Sequence, residues 1–302
     1  MPCWLQQPRY RYRVVFPALA GLPMPLGYGF AGWVGGRDRR CSDPLARAMG
    51  HGLARAGVAD VEAALSRFFA MRAREVLDAW WIRKLTTTQG TRLMRLRGES
   101  LLEQQRAAGR GVILVMAHYG RLNLLLLALA LKGHRLGMLT MDPDDPDLPM
   151  DPTERDFLRA KVTGLHRRIG GPWVTINDDL RRLYRALEAG ETVVMLLDAY
   201  SPRFRLALDY PFLDGTLHVA PGILRVARRT GAALVYGRVK ERDWRVDVEL
   251  RPLPDEPEAG MAQAVAELEH DVRERPWEWW QWPLTGRLWT PATPGGAKGE
   301  PE

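Results

Sequence analysis

The sequence predicts an α/β fold, a central mixed β-sheet flanked by helices and preceded by an apolar segment. Three observations predict it. Val112–Ala117 and Thr192–Leu197 are apolar runs rich in β-branched residues, as expected of strands buried on both faces. Helical patterns follow the strand candidates, as in the Leu- and Ala-rich stretch 122–132. Finally, Val14–Gly36 carries no charge but is flanked by Arg9, Arg11 and Arg13 on one side and Arg37, Arg39 and Arg40 on the other.

The 302 residues suffice for a sizeable core. The predicted division is a membrane-associating segment over 1–41, an α/β domain over 42–291 and a disordered tail over 292–302. The uncharged run has the length of a bilayer span, but Pro17, Pro23 and Pro25 oppose one straight helix. Arginines on both flanks fit a segment that lies in the membrane interface, or enters and leaves on one face. The competing expectation is that it packs on the domain's own core. A net charge of +7 favours anionic partners. The basic residues are spread along the chain without a recognition motif, which argues against nucleic acid. Cys3 and Cys41 lie far from any motif, so neither a disulfide framework nor a cysteine zinc site is expected.

Along the chain, Asp43–Leu85 reads as two helices, with Leu65, Phe68, Phe69, Val76 and Leu77 facing inward. A short helix reaches Ala108 before Gly109–Gly111. Strands are expected at Leu136–Met141 and Trp173–Ile176, and helices at Thr153–Thr163, Asp178–Ala189 (with Asp178 as N-cap) and Glu258–Arg275. Ala232–Val239 and Trp244–Leu250 read as a hairpin around Lys240–Asp243. Five aspartates crowd Asp142–Pro152, but Pro-Asp pairs are turn material and the spacing fits no calcium loop, so no metal is expected. Five tryptophans between Trp277 and Trp289 suit core closure or a membrane interface.

The candidate site lies where the two apolar runs end. His118 follows the first, where a strand gives way to a helix, and ligand crevices of α/β sheets open at the carboxyl ends of strands. Gly120 permits a close backbone or substrate approach. Asn123, about one helical turn past the histidine, is positioned by sequence to hydrogen-bond its ring. Asp198 ends the second run, and Arg203 and Arg205 follow it. It is either their ion-pair partner or an acid of the site, since a charged group at a buried strand end needs partners in both cases.

Ala117-His118-Tyr119-Gly120, with position 123 five residues past the histidine, resembles the His-x-x-x-x-Asp/Glu block of glycerolipid acyltransferases. Within them it resembles the lauroyl/myristoyl acyltransferases that act late in lipid A synthesis. The Asp198 strand end, the turn Tyr210-Pro-Phe-Leu-Asp-Gly215 before a helix over Ala220–Arg229, and the Trp-rich end after Pro276 resemble that family in the same order. Two positions depart from it: Asn123 replaces the acid, and Met141-Asp142-Pro143 stands where an Arg-Pro pair is usual.

The resemblance implies a glycerolipid-acyltransferase-like fold that moves a fatty acyl chain from a thioester, on acyl carrier protein or coenzyme A, to a hydroxyl of a lipid or glycolipid. It implies the cytoplasmic face of the bacterial inner membrane and no cofactor. His118 would be the general base, with Asn123 in place of the acid, or with Asp142 or Asp198 supplying a carboxylate. Tyr119, Gly120, Arg121, Asp198, Arg203 and Arg205 would bind substrate, Trp80 and Trp81 would line the core or an acyl channel, and amides at the start of the helix over Ala220–Arg229 would suit an anionic group. No Cys or Ser stands beside His118 as a nucleophile, which favours direct transfer. Asn123 also motivates a different reading: a non-catalytic relative that binds lipid or carrier protein as the partner of another acyltransferase.

Overall fold

The computed structural model describes residues 7–39, 43–140, 142, 144, 150–175, 177–199 and 206–292. The elements in chain order begin with α1 (Pro8–Tyr10), a π-helical turn at Arg11–Val15, α2 (Phe16–Ala20), α3 (Met24–Asp38), α4 (Asp43–Arg55), α5 (Val61–Ile82) and α6 (Thr87–Leu93). Next come β1 (Met94–Arg97), α7 (Ser100–Ala107), β2 (Val112–Met116), α8 (Asn123–Leu131), β3 (Leu136–Thr140), α9 (Pro152–Ile169), β4 (Gly170–Thr175), α10 (Arg181–Glu188) and β5 (Thr192–Leu196). The chain continues through β6 (Leu208–Phe212), β7 (Gly215–Val219), α11 (Gly222–Thr230), β8 (Ala233–Arg242), β9 (Arg245–Pro252), α12 (Pro257–Glu274), α13 (Thr285–Leu288) and β10 (Trp289–Pro291).

Seven strands form one mixed sheet in the order β1-β9-β8-β2-β5-β3-β4. The five from β8 to β4 are parallel, β9 is antiparallel to β8, and the edge strand β1 is parallel to β9. Alternation along the central strands divides the core in two. Ile113, Val115 and Ala117 of the β2 run belong to one cluster with Val193, Met195 and Leu197. Val112, Leu114 and Met116 belong to the other with Val194. α5 serves both clusters, giving Phe68 and Phe69 to the first and Val76, Leu77 and Ile82 to the second.

The N-terminal segment is broken as its prolines predict. Its inner side packs on the domain: Phe16, Tyr28 and Ala31 are fully buried, and Arg11 forms a buried ion pair with Asp38. Small residues let α3 lie close to α5; a Cβ on Gly35 would run into the main-chain carbonyl of Phe69. Its outer side stays open, with Leu26 at 55% and Phe30 and Trp33 at 51% exposure. No described helix is long and apolar enough to cross a membrane.

Several expectations are corrected. Asp178 does not cap a helix: its carboxylate accepts from Thr175 N at 2.7 Å and closes a turn, and the helix starts at Arg181. The hairpin runs to Arg242 and resumes at Arg245, with a tighter turn than expected and Asp243 at φ 55°. The stretch around Tyr210-Pro-Phe is more than a turn before a helix. It is a hairpin, β6–β7, turning at Leu213 (φ 48°) and Asp214 (φ 55°), and β10 joins it in a second, three-stranded sheet. α6 and β1 have no counterpart among the elements expected from sequence. The C-terminal tryptophans close the core, with Trp279, Trp282 and Trp289 at most 1% exposed. Cys3, Cys41, Asp145, Asp147 and the residues after 292 lie outside the described residues.

The α3–α5 contact yields a prediction. Gly35→Val should lower the denaturant midpoint by the equivalent of about 1–3 kcal/mol, because the added side chain meets backbone that cannot repack. Gly29→Ala, on the open side of the helix where an added Cβ would meet nothing within 4 Å, should raise it by the equivalent of about 0.5–1 kcal/mol.

Candidate active site

Strand register assembles the candidate site. β2 and β5 are adjacent and parallel, with Met116 paired to Leu196. Leu197 N also bonds Met116 O at 2.8 Å. Two residues further on, each strand places its next polar side chain at the sheet's carboxyl end, and these are His118 and Asp198. His118 Nδ1 lies 2.9 Å from Asp198 Oδ1, and His118 N donates to both carboxylate oxygens at 3.0 Å. Asp198 is fully buried, whereas the His118 side chain is 34% exposed.

The Trp-rich segment clamps this pair. Trp279 Nε1 donates to Asp198 Oδ2 at 2.9 Å. Gln281 Nε2 donates to Asp198 O at 3.0 Å and lies 2.8 Å from His118 Nδ1. Trp280 N donates to His118 O at 2.9 Å and Gly120 N to Glu278 O at 2.7 Å. The Trp280 indole donates to Gly120 O at 2.8 Å. Gly120 has φ +60°, and a Cβ there would come within 2.5 Å of Val239 O. The close approach this glycine permits is therefore to the protein's own backbone.

The partners assign the tautomer. Asp198 accepts a main-chain N–H and an indole N–H, and a carboxylate is the stronger acceptor for the ring proton. The Gln281 amide also lies against Nδ1 but is committed to Asp198 O, so the charged acceptor prevails, Nδ1–H points at Asp198 and Nε2 keeps its lone pair. Nε2 has no hydrogen-bond partner among the described residues.

The other sequence candidates lie elsewhere. Asn123 is buried on the α5 side, where its amide donates to Glu75 Oε1 at 3.1 Å, and no hydrogen bond joins it to His118. Glu75 also pairs with Lys161. Arg121 is fully buried and forked onto Asp78, with Nε at 2.8 Å from Oδ2, and it donates to Trp244 O at 3.0 Å. Burial works against its charge, but the Asp78 carboxylate more than offsets this and holds its pKa up. Arg121 is therefore a structural cation rather than a group that reaches substrate. Tyr119 is buried, with its hydroxyl on Asp271 O at 2.9 Å and its pKa raised by that burial. Trp81 is largely buried but walls a cavity of about 550 Å3, and Trp80 lines one of about 170 Å3 with Tyr12 and Phe157; His118 lines neither. Arg203 and Arg205 lie outside the described residues. Glu99, Glu103 and His134 have donor atoms close enough for a cation, but Lys132 sits 3.7 Å from Glu99.

Sequence reasoning missed Trp279, Gln281 and Glu278. The available signal was the alternation of Glu and Gln with tryptophans in Trp277–Trp282, because polar side chains buried among indoles need partners.

A partly exposed imidazole on a buried carboxylate at the ends of parallel strands places the chain in a structural class, the α/β folds with a group able to take a proton from a hydroxyl or water at a strand-end crevice. Within it, the family model described as bacterial lipid A biosynthesis acyltransferase matches residues 61–284, and the chain belongs to that family. No curated protein matches it.

Two predictions follow from the clamp. Trp279→Phe keeps an aromatic ring but removes the indole donor, leaving Asp198 short of one partner. It should destabilise the protein by about 1.5–3 kcal/mol in denaturant titration. Glu278 is nearly solvent-free; burial, helped by the Glu241 carboxylate, pushes its pKa from 4.5 up to about 8. The folded state thus holds this proton over a window in which the unfolded chain has released it. The stability it contributes is complete below the unfolded value and is lost as pH rises from about 4.5 to about 8. Glu278→Gln, neutral throughout, should flatten the decline in the denaturation midpoint across that window.

Proposed function

We propose that the chain is an O-acyltransferase that passes a fatty acyl group directly from a thioester, on acyl carrier protein or coenzyme A, to a hydroxyl of a lipid or glycolipid of the late lipid A type. The observation that carries this reading is the His118–Asp198 pair with Nε2 open. His118 Nε2 takes the acceptor's hydroxyl proton as the oxygen attacks the thioester carbonyl. The tetrahedral intermediate collapses, the C–S bond breaks, and the imidazolium returns the proton to the departing sulfur. Asp198, not Asn123, stabilises the imidazolium and fixes the ring. Arg121 is committed to Asp78, and Leu124 N and Leu125 N of α8 already bond Arg121 O and Leu122 O, so none of these three supplies the oxyanion donor.

The exposed stripe on α3 and its basic flanks support attachment at the cytoplasmic face of the inner membrane. The net charge of +7 suits an acidic carrier protein as donor. The second reading, a non-catalytic lipid- or carrier-binding partner, is favoured by Asn123 where related enzymes are expected to carry an acid.

Transfer from labelled acyl carrier protein into a membrane lipid extract separates the two. Wild type should transfer, His118→Ala should lose about 10²–10⁴ of the rate, and Asp198→Asn should fall into the same range. Asn123→Glu should gain nothing and should lower stability by about 1–3 kcal/mol, since it sets a second carboxylate against Glu75. Absence of transfer by wild type with either donor would favour the non-catalytic reading.

A further inference from the structure

The start of α3, a helix whose outer face is open, adjoins a cation-lined groove away from His118. Leu26, Phe30 and Trp33 fall on one helical stripe, and Arg37 beyond them lies 3.5 Å over the Trp33 ring. At the start of α3, Pro23, Met24 and Pro25 wall a cavity of about 550 Å3 opposite Trp81 and Trp244. That cavity shares Arg92, Trp244 and Arg245 with a groove of about 830 Å3 along the edge strand β1. Tyr28 of α3 stacks on Trp244 at 6.3 Å, which fixes the junction.

The groove is floored by Leu93, Leu96, Leu131 and Val246, and Arg92, Arg95, Lys132, Arg242 and Arg245 line it. Its acids compensate only some of these. Glu99 is paired with Lys132 at 3.7 Å, and Asp247 with Arg242 at 3.4 Å and Arg97 at 3.6 Å. Arg92 and Arg95 have no carboxylate partner among the described residues, and Arg245 lies 4.8 Å over the Trp244 ring. Asp243, at the hairpin tip, is the remaining acid. Cations on an edge strand repel strand addition, which accounts for Arg95. It does not account for Arg92 from α6 and Arg245 from the hairpin lining the same groove.

We propose that this groove binds the phosphate-bearing headgroup of an anionic lipid whose acyl chains lie against the Leu26–Phe30–Trp33 stripe. Guanidinium forks match phosphate oxygens in geometry and charge, and Phe and Trp suit the interfacial depth at which a headgroup meets its chains. None of the residues lining either cavity belongs to the His118 cluster, so headgroup binding and transfer use different residues. The proposal rests on membrane attachment by α3.

The test is co-sedimentation of the full chain with phosphatidylcholine vesicles, with or without phosphatidic acid, alongside thermal shifts with inorganic phosphate. Wild type should prefer phosphatidic acid vesicles by about tenfold or more. Arg92→Ala/Arg95→Ala should remove most of that preference while keeping the weaker binding to phosphatidylcholine. Arg225→Ala/Arg229→Ala removes the same charge from exposed positions on α11, which packs on the other core cluster, and should keep the preference. An equal loss in this control would reduce the effect to net charge and overturn the proposal, as would an unchanged preference in Arg92→Ala/Arg95→Ala or no preference in wild type. A phosphate-induced shift without vesicle discrimination would assign the groove to free phosphate and overturn the lipid. Phe30→Ser/Trp33→Ser should weaken binding to both vesicle types. If it does not, the acyl chains do not lie on α3 and the proposal is overturned through the attachment on which it rests, whatever the preference ratio.

Discussion

The arrangement depends on a carboxylate without solvent. Burying Asp198 unpaired would cost several kcal/mol, and the fold meets that cost with three contacts from two segments. The β2 strand end supplies the main-chain N–H and the ring of His118, and the C-terminal segment supplies the Trp279 indole. The site therefore exists only after strands 80 residues apart have paired in register and the chain's last aromatic segment has closed over them. Removing one partner leaves a buried charge short of a hydrogen bond, so each of the three contacts constrains the others.

A second set of buried ions stiffens the loop after His118 from behind. α5 presents Glu75 and Asp78 one turn apart, and they hold Asn123 and Arg121 respectively. Glu241 of β8 receives Arg74 from the same helix, at 2.6 Å from Nε. With the Tyr119 hydroxyl on Asp271 O, every polar side chain from Tyr119 to Asn123 is fixed inward, and His118 just before them is the partly exposed ionisable group. α5 also carries α3, so the helix that braces the site is the one on which the apolar N-terminal face is mounted.

The sequence made the central strands legible because burial on both faces demands uninterrupted apolar runs, and it marked His118 and Asp198 as strand ends. It could not show that these ends are neighbours, since adjacency is a property of the sheet order. Asn123 looked like the ring's partner because it is near in sequence, yet the first turn of α8 points it at Glu75. β1 was hidden because Arg95 and Arg97 face solvent on a short edge strand. β6 was hidden by Pro211, which the ladder tolerates at an edge. The uncharged N-terminal run was legible as an apolar, proline-broken segment. Its division into a buried and an open side follows from where small residues meet α5.

The central claim is that Asp198 holds the proton on Nδ1 of His118 and leaves Nε2 as the base. The most direct test is 15N NMR of the histidine-labelled protein at a pH where the imidazole is neutral, with the His118 signals assigned by loss in His118→Gln. The account predicts a protonated Nδ1 and a bare Nε2, with that preference lost in Asp198→Asn. A proton found on Nε2, with Nδ1 accepting from Gln281, would contradict it.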